Sequence, residues 1–260
     1  MSCIGTFPTP PNAVASTDKI DVGVSVNITC EAGYHGVGKG TSTCLADGQW
    51  SSPAYQCDGE EWPNGTYTLL QPFNGCPAQF STGQRIWRPE KTGYSTFSTN
   101  NNLQGYANQT QIEWHFCTKT GSGDSESWPA GDYCILRKGG SCPAGFNIGL
   151  ITFDEEDSAP SDRSQGTGTL PDGVYAANTD LYFCCKKDGS VAIEATFPVS
   201  TPFVLFRYTM ASCQLITGMT VEPGYTFFDS EPNGNIDKSE GSVPYVDGPP
   251  TWHIYHCYYY

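Results

Sequence analysis

Short runs of alternating hydrophobic and polar residues, separated by glycine, proline and asparagine, occur along the whole chain. Residues 26–30 alternate in this way, and β-branched or aromatic runs recur at 66–70, 133–137 and 202–207. Short runs of this kind between turn residues are typical of half-buried strands. No window has the sustained period of an amphipathic helix. The pattern therefore predicts an all-β protein.

The cysteine pattern changes near residue 58. Before this point, four cysteines lie in a short segment rich in Gly, Ser and Thr, and an aromatic-rich pattern begins at Trp62. Residues 58–61 are polar and read as a hinge. We therefore predict a small module over residues 1–58 and a larger domain over residues 59–260. The small module is too short for a large core and needs its disulfides.

The larger segment contains three copies of one unit, over about residues 62–120, 128–187 and 197–260. Copies one and two begin with Trp-Pro-x-Gly-x-Tyr and continue with a Cys-Pro turn, and every copy closes with an aromatic run that ends in cysteine. Three related β units predict a pseudo-threefold domain. We favour a β-prism-like arrangement, because the units are long for a β-trefoil. A β-trefoil and a β-sandwich are the alternatives.

Twelve cysteines, an even number, predict a secreted protein with disulfide bonds. In the larger domain, one bridge per copy would join the Cys-Pro turn to the last strand, and one pair is left in copy two. The expected bridges are Cys76–Cys117, Cys142–Cys184, Cys213–Cys257 and Cys134–Cys185. Three Asn-x-Thr sequons, at Asn27, Asn64 and Asn108, are candidate glycosylation sites. No signal peptide is visible at the start of the sequence, so we expect the natural leader to be missing from it.

Net charge restricts the classes of partner. The chain carries 27 acids and 13 Lys or Arg residues, for a net charge of −14. This balance argues against a nucleic-acid backbone or an anionic membrane surface as partner. The chain also lacks an apolar run of about 18 residues, so no membrane span is expected.

The first four cysteines, the Gly33-Tyr34 pair and the Gly48-x-Trp50 motif together resemble the sushi (complement control protein) module. The resemblance covers residues 3–57. It implies the pairs Cys3–Cys44 and Cys30–Cys57, whereas the sequence alone allows three connectivities. We expect Trp50 to be buried. Sushi modules act as spacers or protein-binding units, so extracellular proteins are expected partners of this segment.

Residues 62–260 resemble the apextrin C-terminal domain, known as ApeC. The likeness rests on residues 62–67, 128–135, 168–175 and 255–259, and on the cysteines in register with them. It implies a secreted protein of innate immunity that binds bacterial peptidoglycan or muramyl peptides without covalent chemistry. The pore-forming domain of some apextrins is absent from this sequence, so pore formation is not implied. The alternative is an extracellular adhesion, matrix or protein-interaction module without specific glycan binding.

No residue pattern indicates an enzyme. The sequence has no Gly-x-Ser-x-Gly elbow, and pairing of all cysteines would leave no thiolate. The expected function is therefore binding, with no required cofactor. Aromatic side chains beside polar groups suit sugar rings. The candidates lie in the long Asn-rich loop of copy one and are Trp87, Tyr94, Phe97 and Tyr106. By contrast, we assign Trp62, Trp128 and the set Trp114, Tyr182 and Tyr255 to the core.

An acidic loop in copy three is the candidate cation site. Residues 229–240 match several positions of an EF-hand calcium loop. The candidate calcium ligands are Asp229, Glu231, Asn233, Asp237 and Glu240. The same acidic frame recurs in copy two, and strands rather than helices are expected around it. We therefore favour a turn whose carboxylates cap strands by hydrogen bonds, with calcium binding as the alternative.

Overall fold

The structure is a computed structural model. It describes residues 2–3, 7–17, 19–31, 34–51, 55–59, 62–88, 95–99, 101–109, 111–121, 128–155, 165–176, 178–229, 236–247 and 252–260. These residues form twenty β-strands and no helix, which confirms the all-β prediction. The chain divides into one compact unit of Met1–Trp62 with Pro198–Ser200 and a second of Pro63–Phe197 with Thr201–Tyr260. Among the described residues, no helix is long and apolar enough to cross a membrane.

Five short strands make up the first unit. They are β1 (Ala13–Ala15), β2 (Ser25–Cys30), β3 (Tyr34–Gly38), β4 (Thr41–Thr43) and β5 (Tyr55–Gly59). Strands β1, β2 and β4 form one antiparallel sheet, and β3 pairs with β5. The small core consists of Phe7, Val26 and Ile28. Trp50 is half-buried rather than buried, and its ring meets that of Phe7 edge-on at 5.2 Å.

Each copy in the second unit contributes five strands in the same order. Copy one has β6 (Tyr67–Leu70), β7 (Ser81–Trp87), β8 (Thr96–Phe97), β9 (Gly105–Ala107) and β10 (Ile112–Lys119). Copy two has β11 (Asp132–Arg137), β12 (Asn147–Phe153), β13 (Gln165–Gly168), β14 (Gly173–Tyr175) and β15 (Thr179–Lys187). Copy three has β16 (Phe203–Arg207), β17 (Val221–Phe228), β18 (Lys238–Gly241), β19 (Val246–Asp247) and β20 (Trp252–Tyr259).

The strand pairing repeats with the sequence. In every copy the fifth strand pairs with the first, second and fourth strands of that copy. The third strand instead pairs with the second strand of another copy: β8 with β17, β13 with β7, and β18 with β12. The three first strands also pair with one another. The copies are thus linked in a cycle, as a pseudo-threefold repeat requires, while the prism-like arrangement stays a prediction.

A recurring glycine permits this exchange of strands. A Cβ added to Gly83 would lie 2.2 Å from the carbonyl oxygen of Thr169, just after β13. At the equivalent Gly149, a Cβ would lie 2.0 Å from the carbonyl oxygen of Ser242, just after β18. Both distances are far below a van der Waals contact, so only glycine allows the incoming strand to approach.

Aromatic side chains from all three copies meet in one buried cluster. The ring of Trp87 lies 5.3 Å from that of Trp114, and Phe228 lies 5.1 Å from Trp114 and 4.7 Å from Phe153. All four side chains are buried. Edge-to-face and tilted contacts of this kind stabilise aromatic pairs beyond the area they bury. This cluster is the common core on which the three copies are built.

The two units contain six disulfide bonds, each within one unit. In the first unit they are Cys3–Cys44 and Cys30–Cys57. In the second unit they are Cys76–Cys117, Cys142–Cys184, Cys213–Cys257 and Cys134–Cys185. These are the same pairs that the resemblance and the repeat predict. The last bridge joins residues directly opposite each other on β11 and β15.

Two buried polar groups depart from the repeat. Arg85 of copy one donates to Glu155, 3.2 Å away, and to Thr179, 2.8 Å away, both in copy two. Burial raises the pKa of Glu155 to about 7, even though Arg85 and Thr179 favour its charged form. His256 takes the inward position before the last-strand cysteine, where copies one and two have phenylalanine. Burial lowers the pKa of His256 to about 4.

Candidate ligand-binding face

The outward side chains of the second and fifth strands form one exposed sheet face per copy. They alternate with buried core residues along β10, β15 and β20, where the first two outward side chains of each strand are half-exposed. Aligning the copies on Cys117, Cys184 and Cys257 gives the equivalent positions. Copy one places Gln84, Ile86, Glu113 and His115 there, copy two Leu150, Thr152, Asp180 and Tyr182, and copy three Tyr225, Phe227, His253 and Tyr255.

Copy three alone has an aromatic ring at all four of these positions. Tyr225 lies opposite Tyr255 with ring centroids 5.8 Å apart, and Phe227 lies opposite His253 at 4.5 Å. Tyr245, just before β19, extends the row, with its ring 5.1 Å from that of Tyr255. All five side chains are half-exposed. We call Tyr225, Phe227, Tyr245, His253 and Tyr255 the aromatic face.

An arginine holds two of these rings in place. The guanidinium carbon of Arg207 lies 4.3 Å from the centroid of the Tyr255 ring and 4.7 Å from that of Tyr245. The hydroxyl of Tyr255 donates to Asp247 at 2.9 Å. Burial and this hydrogen bond raise the pKa of Tyr255 to about 12, so the phenol is protonated at neutral pH. The rings are therefore fixed before any ligand arrives.

The same backbone frame carries a different surface in copy two. The amide of Asp172 donates to the carbonyl of Arg137 at 2.7 Å, as the amide of Tyr245 donates to that of Arg207 at 2.6 Å. Arg137 stacks on Tyr182, the counterpart of Tyr255, at 3.8 Å. Asp172 stands where copy three has Tyr245. Copy one has neither arginine nor tyrosine at these positions, since Gln71 and His115 occupy them.

Of the four aromatic residues proposed from the sequence in copy one, the three that the structure describes do not share an exposed face. Trp87 is only 1% exposed and belongs to the common core, because it occupies the same inward position as Phe153 and Phe228. Phe97 is half-buried and packs against that core. Tyr106 is exposed on β9, and Tyr94 lies outside the described residues. The prediction of Trp87 as a ligand-binding residue is wrong.

Of the five aromatic residues that the sequence analysis assigned to the core, three are buried and two are not. Trp62, Trp128 and Trp114 are buried as predicted. Tyr182 and Tyr255 are half-exposed on the outer face, so their assignment to the core is wrong. Both lie two residues before the last-strand cysteine, in register with His115 rather than with Trp114. Counting from the cysteine, with the two-residue period of a strand, would have revealed the aromatic face.

One acidic residue of the candidate calcium loop, Asp237, takes part in hydrogen bonds that cap strands. Asp237 accepts a hydrogen bond from the amide of Asp154 at 2.7 Å, and Asp154 accepts one from the amide of Ile236 at 3.0 Å. Lys238 pairs with Glu240 at 2.9 Å within β18. This segment is a strand, not the start of a helix as in an EF-hand.

Only some of the remaining candidate ligands lie in the part of the chain that the structure describes. The amide of Asp229 donates to Ser95 of copy one at 3.2 Å, and Glu231 and Asn233 lie outside the described residues. No group of three His, Cys, Asp or Glu side chains in the described part of the chain is arranged to hold a metal ion. The hydrogen bonds of Asp154 and Asp237 thus support the strand-capping interpretation.

The three sequons lie on the surface. Asn27 and Asn108 are exposed and Asn64 is half-exposed. Their glycosylation stays a prediction.

Comparison with known proteins identifies both units. A family model for the sushi repeat matches residues 5–57, and one for the C-terminal domain of apextrin matches residues 62–259. The human protein "Sushi domain-containing protein 2" is 37% identical over 70 residues, which cover 27% of this chain and 8% of that protein. The sushi repeat and the disulfide bonds are consistent with an extracellular protein of an interaction or immune type, and neither family is enzymatic. Because the apextrin match spans most of the sequence, the chain belongs to the apextrin C-terminal domain (ApeC) family and has a sushi repeat in front of that domain.

Proposed function

We propose that this is a secreted protein of innate immunity that recognises bacterial peptidoglycan or its muramyl peptides through the aromatic face of copy three. The observation that carries the proposal is the contrast between equivalent positions. Copy three has aromatic rings at all four outward positions, whereas copy two has only Tyr182 and copy one only His115. A scaffold that repeats three times does not need these rings, because the other copies fold without them.

The chemistry of the aromatic face fits a sugar polymer. The apolar faces of sugar rings stack on aromatic side chains, and their hydroxyls need fixed donors and acceptors beside the rings. Tyr225 and His253 offer such groups, and Asp247 lies at the edge of the face, 3.8 Å from His253. The rings sit on paired strands, so little conformational entropy is lost on binding. The mechanism is non-covalent and uses no cofactor.

The test is retention of the full-length protein on insoluble peptidoglycan. The double variant Tyr225→Ala with Tyr255→Ala removes two adjacent rings of the aromatic face. We expect its affinity to fall by roughly tenfold or more, since truncated aromatic anchors each contribute more than about 1 kcal/mol. The matched control is Gln84→Ala with His115→Ala, at the equivalent positions of copy one, and it should bind like the wild type.

Thermal unfolding of both variants checks that they are folded. Equal retention of wild type and the copy-three variant would refute the proposed site. Failure of the wild type to bind peptidoglycan would refute the proposed function itself and leave the interaction-module alternative.

A further inference from the structure

Copy two contains a cleft of about 570 Å³ on the frame that carries the aromatic face in copy three. It lies between the end of β11 and the segment around β14. Its walls include Arg137, Lys138, Leu170, Asp172, Tyr175 and Tyr182. The cleft is basic, unlike the chain as a whole, which has a net charge of −14.

Arg137 enters the cleft with part of its guanidinium uncommitted. Its Nε donates to the Oδ2 atom of Asp172 at 2.9 Å, and the group lies over the Tyr182 ring at 3.8 Å. Its terminal nitrogens make no hydrogen bond to any described residue. An arginine held by stacking and by one Nε contact presents its remaining N–H groups in a fixed fork. That fork matches the two oxygens of a carboxylate.

Asp172 offsets part of this charge as the ion-pair partner of Arg137, and its carboxylate is also bound to the loop beside the cleft. Its Oδ2 and Oδ1 atoms accept hydrogen bonds from the amides of Gly140 at 2.7 Å and Gly139 at 3.2 Å. Both glycines have positive φ values, 86° and 85°, which other residues rarely adopt. Asp172 therefore shapes the loop that follows Arg137, and its charge is shared among three donors.

Lys138 supplies the second cation. Its Nζ atom donates to the carbonyl of Leu170 at 2.7 Å, which places the ammonium at the cleft and leaves protons for a ligand. Copies one and three have Pro72 and Tyr208 at this position. The Arg137–Lys138 pair is thus particular to copy two.

We propose that this cleft binds a carboxylate group through the cations of Arg137 and Lys138. Leu170 and Tyr175 form an apolar wall beside it. The proposal rests on the proposed function only for the origin of that carboxylate, which we take to be bacterial peptidoglycan or its muramyl peptides. Copy two would then bind the acidic part of the ligand, and copy three would bind its neutral rings.

The test compares acidic and neutral ligands by isothermal titration calorimetry with the full-length protein. N-acetylmuramic acid and N-acetylglucosamine share a ring, and only the first carries a carboxylate. The dipeptide alanyl-glutamate offers a carboxylate without a sugar. Lys138→Gln removes one cation and keeps most of the side chain. Lys187→Gln is the matched control, since Lys187 is exposed and lies outside the cleft.

We expect the wild type and Lys187→Gln to prefer N-acetylmuramic acid over N-acetylglucosamine. Lys138→Gln should weaken binding of the acid by roughly fivefold and leave binding of the neutral sugar unchanged. Tighter binding of the dipeptide than of the sugar acid by the wild type would place the carboxylate in a peptide rather than on the sugar.

Three results would overturn the proposal: no preference for the acid in the wild type, no binding of the acid at all, or an equal effect of Lys187→Gln. The outcome is separate from that of the proposed function. If Lys138→Gln loses the preference for the acid but still binds peptidoglycan, the lost interaction belongs to copy two. Loss of peptidoglycan binding in the Tyr225→Ala and Tyr255→Ala variant, with the acid preference intact, would be traced to copy three.

Discussion

Copies two and three share a backbone and differ in what they present to solvent. Each has five strands in the same order, an arginine at the end of its first strand and a tyrosine stacked on that arginine. Copy three surrounds this pair with Tyr225, Phe227, Tyr245 and His253, whereas copy two surrounds it with Asp172, Lys138 and a loop of two glycines. The comparison shows that inward positions maintain the scaffold, while outward positions differ between the copies and carry the proposed binding sites.

The sharpest test of this division compares an inward with an outward ring. Trp87→Ala removes a fully buried indole that contacts rings from copies two and three. We expect it to lower the free energy of unfolding by about 3–5 kcal/mol. Tyr225→Ala, on the half-exposed face, should lower it by only about 1 kcal/mol. Urea denaturation with the disulfides intact measures both, and similar losses would contradict the division.

The second prediction concerns His256, which stands where the other copies have Phe116 and Phe183. A histidine in the unfolded chain takes up a proton below its ordinary pKa of 6.5, but the folded protein keeps His256 neutral down to about pH 4. Acidification from pH 7 to pH 4 therefore favours the unfolded chain. Replacement by phenylalanine, His256→Phe, removes this effect.

We expect His256→Phe to gain up to about 3 kcal/mol over the wild type between pH 7 and pH 4. The raised pKa of Glu155 acts in the opposite direction, because the folded state holds that proton between pH 4.5 and about pH 7. Glu155 is present in both proteins, so the difference between them isolates His256. Denaturation curves across this pH range measure it, and a constant difference would contradict the prediction.

A smaller effect is expected from the arginine of copy three. Arg207→Gln introduces the side chain that copy one has at Gln71 and removes the cation between Tyr245 and Tyr255. Two cation–π contacts at a half-exposed site predict a loss of about 1–2 kcal/mol. Lys187→Gln removes the same charge from an exposed position and should leave the melting temperature nearly unchanged. An equal shift in both variants would show that net charge, not stacking, is responsible.

The smallest expected effect tests the strand caps against calcium. Asp237→Ala removes the acceptor for the amide of Asp154 and should cost about 1 kcal/mol. If the carboxylate acts as a cap, this loss is the same in EDTA and in millimolar CaCl₂. Melting curves under both conditions give the answer. A calcium-dependent rise in the wild type that disappears in Asp237→Ala would restore the calcium site.

Several features of this protein were determined by the sequence itself. The spacing of cysteines and the repeated Trp-Pro-x-Gly-x-Tyr motif were enough to predict three β units and the pairs that the disulfides join. They were also enough to place Trp114 and Trp128 in the core. These features are local or recur at fixed spacing, so each copy reinforces the prediction made from the others.

The location of the proposed binding surface depended on tertiary structure. Trp87 and Tyr255 are both aromatic residues near the ends of strands, and composition does not separate them. The pairing of β7 with β10 and β13 turns Trp87 inward, while the register of β17 with β20 brings Tyr225 and Tyr255 together outward. Likewise, Arg137 and Asp172 are distant in sequence and meet only because β11 and the segment before β14 adjoin. A shift of one residue reverses which face a strand side chain occupies, so the register of the paired strands decided which residues form the proposed site.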